Sequence, residues 1–369
     1  MKIIYSWDHH KELRPFIKAD IEKWRELGYD ITEVTHRDKL GIKTEWPPDE
    51  LNNLYHNKYK KLLDLYDKVR NLTETHDVFI IAGDPIYHPE FVKSLKNIYT
   101  VIVSGDDPES SDRVSKPYVH AFDHSFALGV NFDKNTKITE KFLQWGAKRA
   151  DFWPYGVRED MYSPQLTEKE IFNKERDIDL VYVGTPWMKF ERLLKIKKAF
   201  PQMKIYGRGW NWKTFARSKN KIITFLSGFW WVKELSVDEL VPLYQRCKIG
   251  INIHLSFGPS NMRIYQLPAN GIMQICDCKE GLDQVFEIGK EVIAYDSIEE
   301  AIDLIKYYLE HDEERKKIAT AGFERTMKDY KRLTTFVNAI EKIKKGMLEE
   351  GVTHFKNGTS IECNEKLPC

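Results

Sequence analysis

No window of this sequence approaches the roughly 18 uninterrupted apolar residues that span a bilayer, so a helical membrane protein is not expected. Cysteine is scarce, with five in 369 residues. Cys247, Cys276, Cys278, Cys363 and Cys369 are odd in number and show no C-x-x-C spacing, so neither a disulfide framework nor a structural zinc site is favoured. An excess of one charge is also missing: 57 lysines and arginines oppose 56 aspartates and glutamates, so the overall balance asks for no polyanionic partner. The opening residues, Met1 to Asp8, read as a strand and not as a signal peptide, which points to the cytoplasm and leaves the sequon Asn357-Gly358-Thr359 without expected consequence. The first strand runs into Ser6-Trp7-Asp8-His9-His10 rather than G-x-G-x-x-G, which argues against a nicotinamide-dependent oxidoreductase.

What the sequence does contain is a long alternation of strand and helix patterns. Strand-like runs at Lys2–Trp7, Asp30–Val34, Asp77–Ala82 and Tyr99–Ser104 are separated by amphipathic stretches at Glu12–Leu27, Asp49–Leu72 and Pro89–Lys96. A short strand is expected near Tyr118–Ala121, a helix over Thr136–Trp145 and an apolar edge at Ala150–Trp153. A second series follows, with strands at Ile178–Val183, Lys204–Tyr206, Ile249–His254 and Ile272–Cys276, and helices at Phe190–Phe200 and Val237–Arg246. This pattern predicts parallel α/β sheets. A single core stops growing at about 250 to 300 residues, so two Rossmann-like domains are expected. The boundaries read as 1–160 and 175–335, with Pro164 and polar residues between them, a closing helix at 336–350, and a mobile tail at 351–369 that has lost periodicity.

In open α/β sheets, ligands sit beyond the carboxyl ends of the strands, so the loops after Trp7, Ala82, Ser104, Val183, Tyr206 and His254 are expected to line a cleft between the domains. The segment Asn261 to Gly271 lies between two apolar runs and reads as a loop and short helix. Its N-terminus would offer donors to an anion, Ser260 or Asn261 can cap it, Arg263 can meet a phosphate with two prongs, and Gln266 lies one turn on. Gly184-Thr185, followed by Lys189 and Arg192, suits a diphosphate; the alternative is a turn with solvated basic residues. Tyr206-Gly207-Arg208-Gly209-Trp210 combines a flexible turn with an aromatic that either stacks on a base or packs in the core. Asp106 and Asp107, at the end of a strand, are either a catalytic base or turn-forming residues. His10, beside His9, is a candidate for acceptor binding or proton transfer.

Taken in order, Ser104-Gly105-Asp106-Asp107-Pro108-Glu109, Val181-Tyr182-Val183-Gly184-Thr185, Ile205-Tyr206-Gly207-Arg208-Gly209-Trp210 and the stretch from Lys248 to Cys276 resemble the CgeB-like glycosyltransferases of the GT-B fold. Glu280 to Glu291 extends the resemblance, which covers roughly residues 98 to 330. It implies two facing Rossmann-like domains with a cleft between them: an acceptor domain over 1–160 and a nucleotide-sugar donor domain over 175–335. It also implies a metal-independent transfer of a hexosyl or pentosyl group from a nucleoside diphosphate sugar, acting as co-substrate with no further cofactor, to a hydroxyl acceptor. That acceptor is a polysaccharide, glycoprotein or small molecule, with a DNA base as a minor alternative.

Gly184, Thr185, Lys189, Arg192, Gly207, Arg208, Asn261, Arg263, Tyr265 and Gln266 are the substrate-binding candidates, and Asp106, Asp107 and, from its place after the first strand, His10 the catalytic ones. Related GT-B enzymes grip the donor ribose with a glutamate where Gln266 stands. A neutral amide accepts more weakly than a carboxylate, by roughly 1 kcal/mol. A protein that binds nucleotide or glycan with little turnover is the competing reading.

Overall fold

A computed structural model describes residues 1–8, 14–35, 40–41, 46–83, 85–105, 107–186, 188–210, 232–254, 261–277 and 280–363. His9, His10, Asp106 and Ser260 lie outside the described residues. The chain divides into two compact units, Met1–Pro154 with Leu333–Cys369, and Tyr155–Arg332.

The first unit opens with β1 (Lys2–Asp8), α1 (Arg14–Glu26), β2 (Asp30–Val34), α2 (Pro48–His56) and α3 (Lys60–Thr73). It continues with β3 (Val78–Gly83), α4 (Pro89–Ser94), β4 (Tyr99–Ser104), α5 (Ser111–Val114), β5 (His124–Ala127), α6 (Ile138–Gln144) and β6 (Ala150–Phe152). Among the described residues the strands form one parallel sheet in the order β2-β1-β3-β4-β5-β6. Burial on both faces explains why strands such as Val78-Phe79-Ile80-Ile81 are apolar throughout rather than alternating.

Three expectations for this unit are corrected. The single helix over 49–72 is two helices, because Lys58 takes φ +54° and the Tyr59 and Lys58 amides bond back to the Leu54 and Tyr55 carbonyls, a left-handed helix stop. The strand expected at 118–121 lies instead at 124–127, after a turn of 3-10 helix over Val119–Ala121. Asp123 fixes that register by accepting from the Thr100 amide and hydroxyl at 2.9 and 2.8 Å. The tail is no mobile appendage over 351–363: Phe355 and Ile361 are buried among Ile3, Tyr5 and Val101, and the Lys356 amide donates to Asp77 at 2.7 Å.

The second unit contains α7 (Glu168–Phe172), β7 (Ile178–Val183), α8 (Phe190–Ala199), β8 (Lys204–Tyr206), α9 (Val237–Gln245) and β9 (Cys247–Asn252). After these come α10 (Arg263–Ala269), β10 (Met273–Asp277), β11 (Ile293–Tyr295), α11 (Ile298–Glu310) and α12 (Asp312–Asp329). Its described strands are parallel in the order β11-β10-β9-β7-β8, so the order reverses between β7 and β9. Strand β11 is short and was not foreseen, since three residues carry no readable periodicity.

The last helix, α13 (Arg332–Glu349), returns to the first unit. Phe336 stacks on Trp24 with ring centroids 4.0 Å apart, and Ile340, Ile343 and Met347 join the same core. The boundary expected at 160 falls at 154, and residues 161–174, expected to lie between the domains, belong to the second unit. Thr167 and Glu170 form a reciprocal cap that starts α7 there. No helix among the described residues is long and apolar enough to cross a membrane.

Candidate functional site

The reversal of strand order between β7 and β9 leaves a crevice at their carboxyl ends, because the following connections depart in opposite directions. Most of the expected binding residues of the second unit gather there. Arg263, the first residue of α10, donates from Nε to the Val183 carbonyl at 2.7 Å and from Nη1 to Asn252 Oδ1 at 3.0 Å. Its guanidinium carbon lies 4.7 Å from the centre of the Tyr182 ring.

Asn252 is fully buried and works as a junction: its oxygen also accepts from Asn261 Nδ2 at 2.8 Å, and its amide donates to Gln274 Oε1 at 3.0 Å. Side chains of β9, β10 and α10 are thus bonded together, which holds Arg263 in one orientation.

Two glycines make room for it. A Cβ on Gly184 would lie 2.1 Å from Arg263 Nη2, and a Cβ on Gly207, at φ +136°, would lie 2.4 Å from the Gly184 carbonyl oxygen. The two strand-end turns therefore touch backbone to backbone, and the Gly184 amide donates to the Tyr206 carbonyl at 2.8 Å.

Beyond Gly184 the chain turns through Met188, a non-glycine residue at φ +52°, and reaches Lys189 at the start of α8. Lys189 is only 7% exposed, yet among the described residues its ammonium has no hydrogen-bond or ion-pair partner. Burial, reinforced by the positive charges of Arg263 and Arg192, pulls its pKa down to about 8 against the opposing pull of Asp277. Arg192, one turn further along α8, is 3.8 Å from Asp277. Lys189 thus feels two neighbouring cations, Arg263 and Arg192, against one carboxylate, Asp277, a surplus that suits an incoming anion.

Asp277, at the end of β10, is itself engaged. Both its oxygens accept from the His254 amide at 3.0 Å, and Oδ1 lies 2.7 Å from His254 Nδ1. His254 is 2% exposed, and burial holds its pKa below the ordinary value although Asp277 opposes this. Cys276 Sγ stands 3.7 Å from His254 Nδ1, so these three residues bring metal-ligating atoms within 4.8 Å of one another. Their hydrogen bonds already use the His254 Nδ1 proton and both Asp277 oxygens, so the donor set fits a hydrogen-bonded dyad better than a cation.

Other expectations fare differently. The Asn261 side chain accepts from the Ile264 amide at 3.1 Å at the start of α10, so that donor is spent. Tyr265 is buried against Tyr330 and Phe286, with ring centroids at 5.0 and 6.3 Å, inside the apolar core. Gln266 is half-buried, and among the described residues its side-chain amide has no partner. Thr185 is exposed and contributes its carbonyl to the Tyr182 hydroxyl at 3.0 Å. Arg208 is exposed, while Trp210 is buried and donates to the Gly184 carbonyl at 2.8 Å, which makes it a brace for the turn rather than a base platform.

In the first unit, Asp107 is buried and accepts from the hydroxyls of Ser104 and Ser111, both at 2.6 Å, and of Ser115. Occupied on both oxygens, it organises the loop after β4 and is poorly placed to take a proton. Sequence reasoning missed Asn252, His254 and Asp277. The available signal was that each is a polar residue ending an otherwise apolar strand run beside the sheet's reversal point.

Residues 187–338 match the family model described as glycosyl transferase-like. A comparison with curated proteins returns no match. Among solved structures, sucrose-phosphate synthase from Thermosynechococcus elongatus aligns at 11% identity and a TM-score of 0.64, covering 95% of this chain and 99% of that one. A glycosyltransferase from Rickettsia africae aligns at 14% identity and 0.65 over 94% and 98%. HepE of Anabaena in complex with UDP aligns at 12% identity and 0.59 over 94% and 100%. The fold is GT-B, two Rossmann-like domains, and the second carries a glycosyl transferase-like segment.

Proposed function

We propose that this chain is a glycosyltransferase that takes a hexosyl or pentosyl group from a nucleoside diphosphate sugar and passes it to a hydroxyl acceptor. The observation that carries this is Lys189, a largely buried lysine with no ion-pair partner among the described residues, set near Arg192 and Arg263 at the reversal point of a glycosyl transferase-like domain. In the reaction the bond from the anomeric carbon to the diphosphate oxygen breaks and the acceptor oxygen bonds to that carbon, losing its proton. Negative charge grows on the departing diphosphate, where fixed cations in a partly dry site are most effective. Those three side chains supply the neutralisation that a divalent ion would otherwise give, so transfer is expected to persist in chelator.

HepE of Anabaena has been crystallised with UDP-glucose, which supports the donor class. The ordered motifs from Ser104 to Cys276 favour the CgeB-like group within it. Cys247 is a buried free thiol, in keeping with a cytoplasmic protein.

Thermal unfolding with UDP, GDP, dTDP, CMP and NAD tests the reading. A ligand at 100 times its Kd stabilises by about 2.7 kcal/mol. A rise in Tm with one nucleoside diphosphate and its sugar conjugate is expected; a rise with NAD alone, or with none, would overturn the assignment.

A further inference from the structure

Three cations account for a diphosphate, but one buried group beside them remains without work. His254 ends the run of β9, next to the reversal point, and the sum of its hydrogen bonds fixes its tautomer. Asp277 accepts from the His254 amide and lies 2.7 Å from Nδ1. An ionised carboxylate has no proton to give, so Nδ1 carries the hydrogen and Nε2 presents a lone pair. Nε2 is buried and has no hydrogen-bond partner among the described residues. Arg263 and Lys189 act on His254 through their charge, and Arg263 Nε and Nη1 are engaged with Val183 and Asn252.

Buried acceptors are seldom left empty, because the lost contact with water is not replaced. Phosphate oxygens cannot fill this one, since they too are acceptors. The donors next to the diphosphate on either side are hydroxyls, those of the ribose and those of the sugar being transferred, while the N–H groups of the base lie beyond the ribose. Resting on the function proposed above, we infer that His254 Nε2 accepts a hydrogen bond from a hydroxyl of the bound nucleotide sugar, with Asp277 as the positioning residue that keeps the lone pair available. Phosphate binding and hydroxyl recognition are then divided between different side chains of the same crevice.

Calorimetric titration of UDP-glucose, its monodeoxy-glucose analogues, UDP and 2′,3′-dideoxy-UDP into wild type, His254→Leu and His254→Gln tests this, with the guanosine set substituted if that is what the wild type binds. A sugar hydroxyl as the source predicts that His254→Leu weakens UDP-glucose about tenfold more than UDP, and that one monodeoxy analogue binds wild type and variant alike. A ribose hydroxyl predicts equal weakening of UDP and UDP-glucose, with dideoxy-UDP indifferent to the substitution. His254→Gln, which retains an acceptor oxygen, should recover part of either loss. If His254→Leu does not fold, the same analogue series on wild type and His254→Gln carries the comparison.

Uniform weakening of all ligands, or unchanged binding of all, would overturn the role of His254 while leaving the donor class intact. Absence of any nucleotide binding by the wild type would overturn both.

Discussion

Lys189 gives the sharpest test, because its charge state can be changed without touching the sequence. Burial and the guanidinium charges of Arg263 and Arg192 make the ammonium form costly, so the folded protein releases this proton at about 8 instead of 10.5. A bound diphosphate reverses that cost and holds Lys189 protonated. Below pH 7 about nine-tenths of the free protein is already charged and affinity for a nucleoside diphosphate sugar should be flat. Between pH 7 and 9 the charged fraction drops about tenfold, so affinity should fall by about tenfold, with the slope approaching one proton per ligand above pH 8.

Calorimetry in two buffers of different ionisation enthalpy measures both the affinity and the proton uptake. A Lys189→Arg variant, which keeps its charge, should bind with no such slope. The unliganded protein carries the opposite signature: the cost of a charged Lys189 is complete below pH 8 and vanishes between 8 and 10.5, so stability rises with pH across that window. The pKa displacement corresponds to roughly 3 kcal/mol, and Lys189→Met should therefore be more stable than wild type at pH 7 by about 1 to 3 kcal/mol while binding donor less well. Affinity unchanged from pH 7 to 9, or a Lys189→Arg variant with the same slope, would refute the reasoning.

Further expectations follow from specific contacts. Gly184→Ala sets a methyl 2.1 Å from Arg263 Nη2 and should lower donor affinity about tenfold by moving the guanidinium, whereas Gly207→Ala meets the Gly184 backbone and should cost about 1 to 3 kcal/mol in urea unfolding. Phe355→Ala should destabilise by about 3 kcal/mol, because the ring is buried in the first unit's core; a change under 0.5 kcal/mol would mean that the tail is not part of it. Asp107→Asn should lower Tm, because an amide replaces a carboxylate that three serine hydroxyls bond, and should leave most of the transfer rate; near-total loss of turnover in a stable variant would restore Asp107 as the base. Gln266→Glu should tighten donor binding by up to about tenfold, and no change in Kd would show that this residue does not touch the ribose.

Local signals sufficed for the alternation of strand and helix, the pair of Rossmann-like domains and several members of the crevice. Period-two and period-3.6 patterns, the glycines at strand ends and the placement of Gly184, Lys189 and Arg263 after strands are properties of neighbouring residues, and they are written in order along the chain. The sequence could not decide which residues would be spent on holding the structure. Tyr265 and Trp210 were legible as aromatics near a site, yet only packing against Tyr330 and the bond to the Gly184 carbonyl make them core and brace. Asp107 was legible as a carboxylate at a strand end, but its three serines come together only when the loop folds back.

Tertiary structure alone also decided the return of α13 to the first unit, since Phe336 finds Trp24 more than 300 residues away. The same holds for the His254–Asp277 pair, because strands β9 and β10 set it side by side. Pairing between strands is a long-range choice fixed by burial and register. No local pattern announces it, and with it come the charge surplus around Lys189 and the buried acceptor of His254.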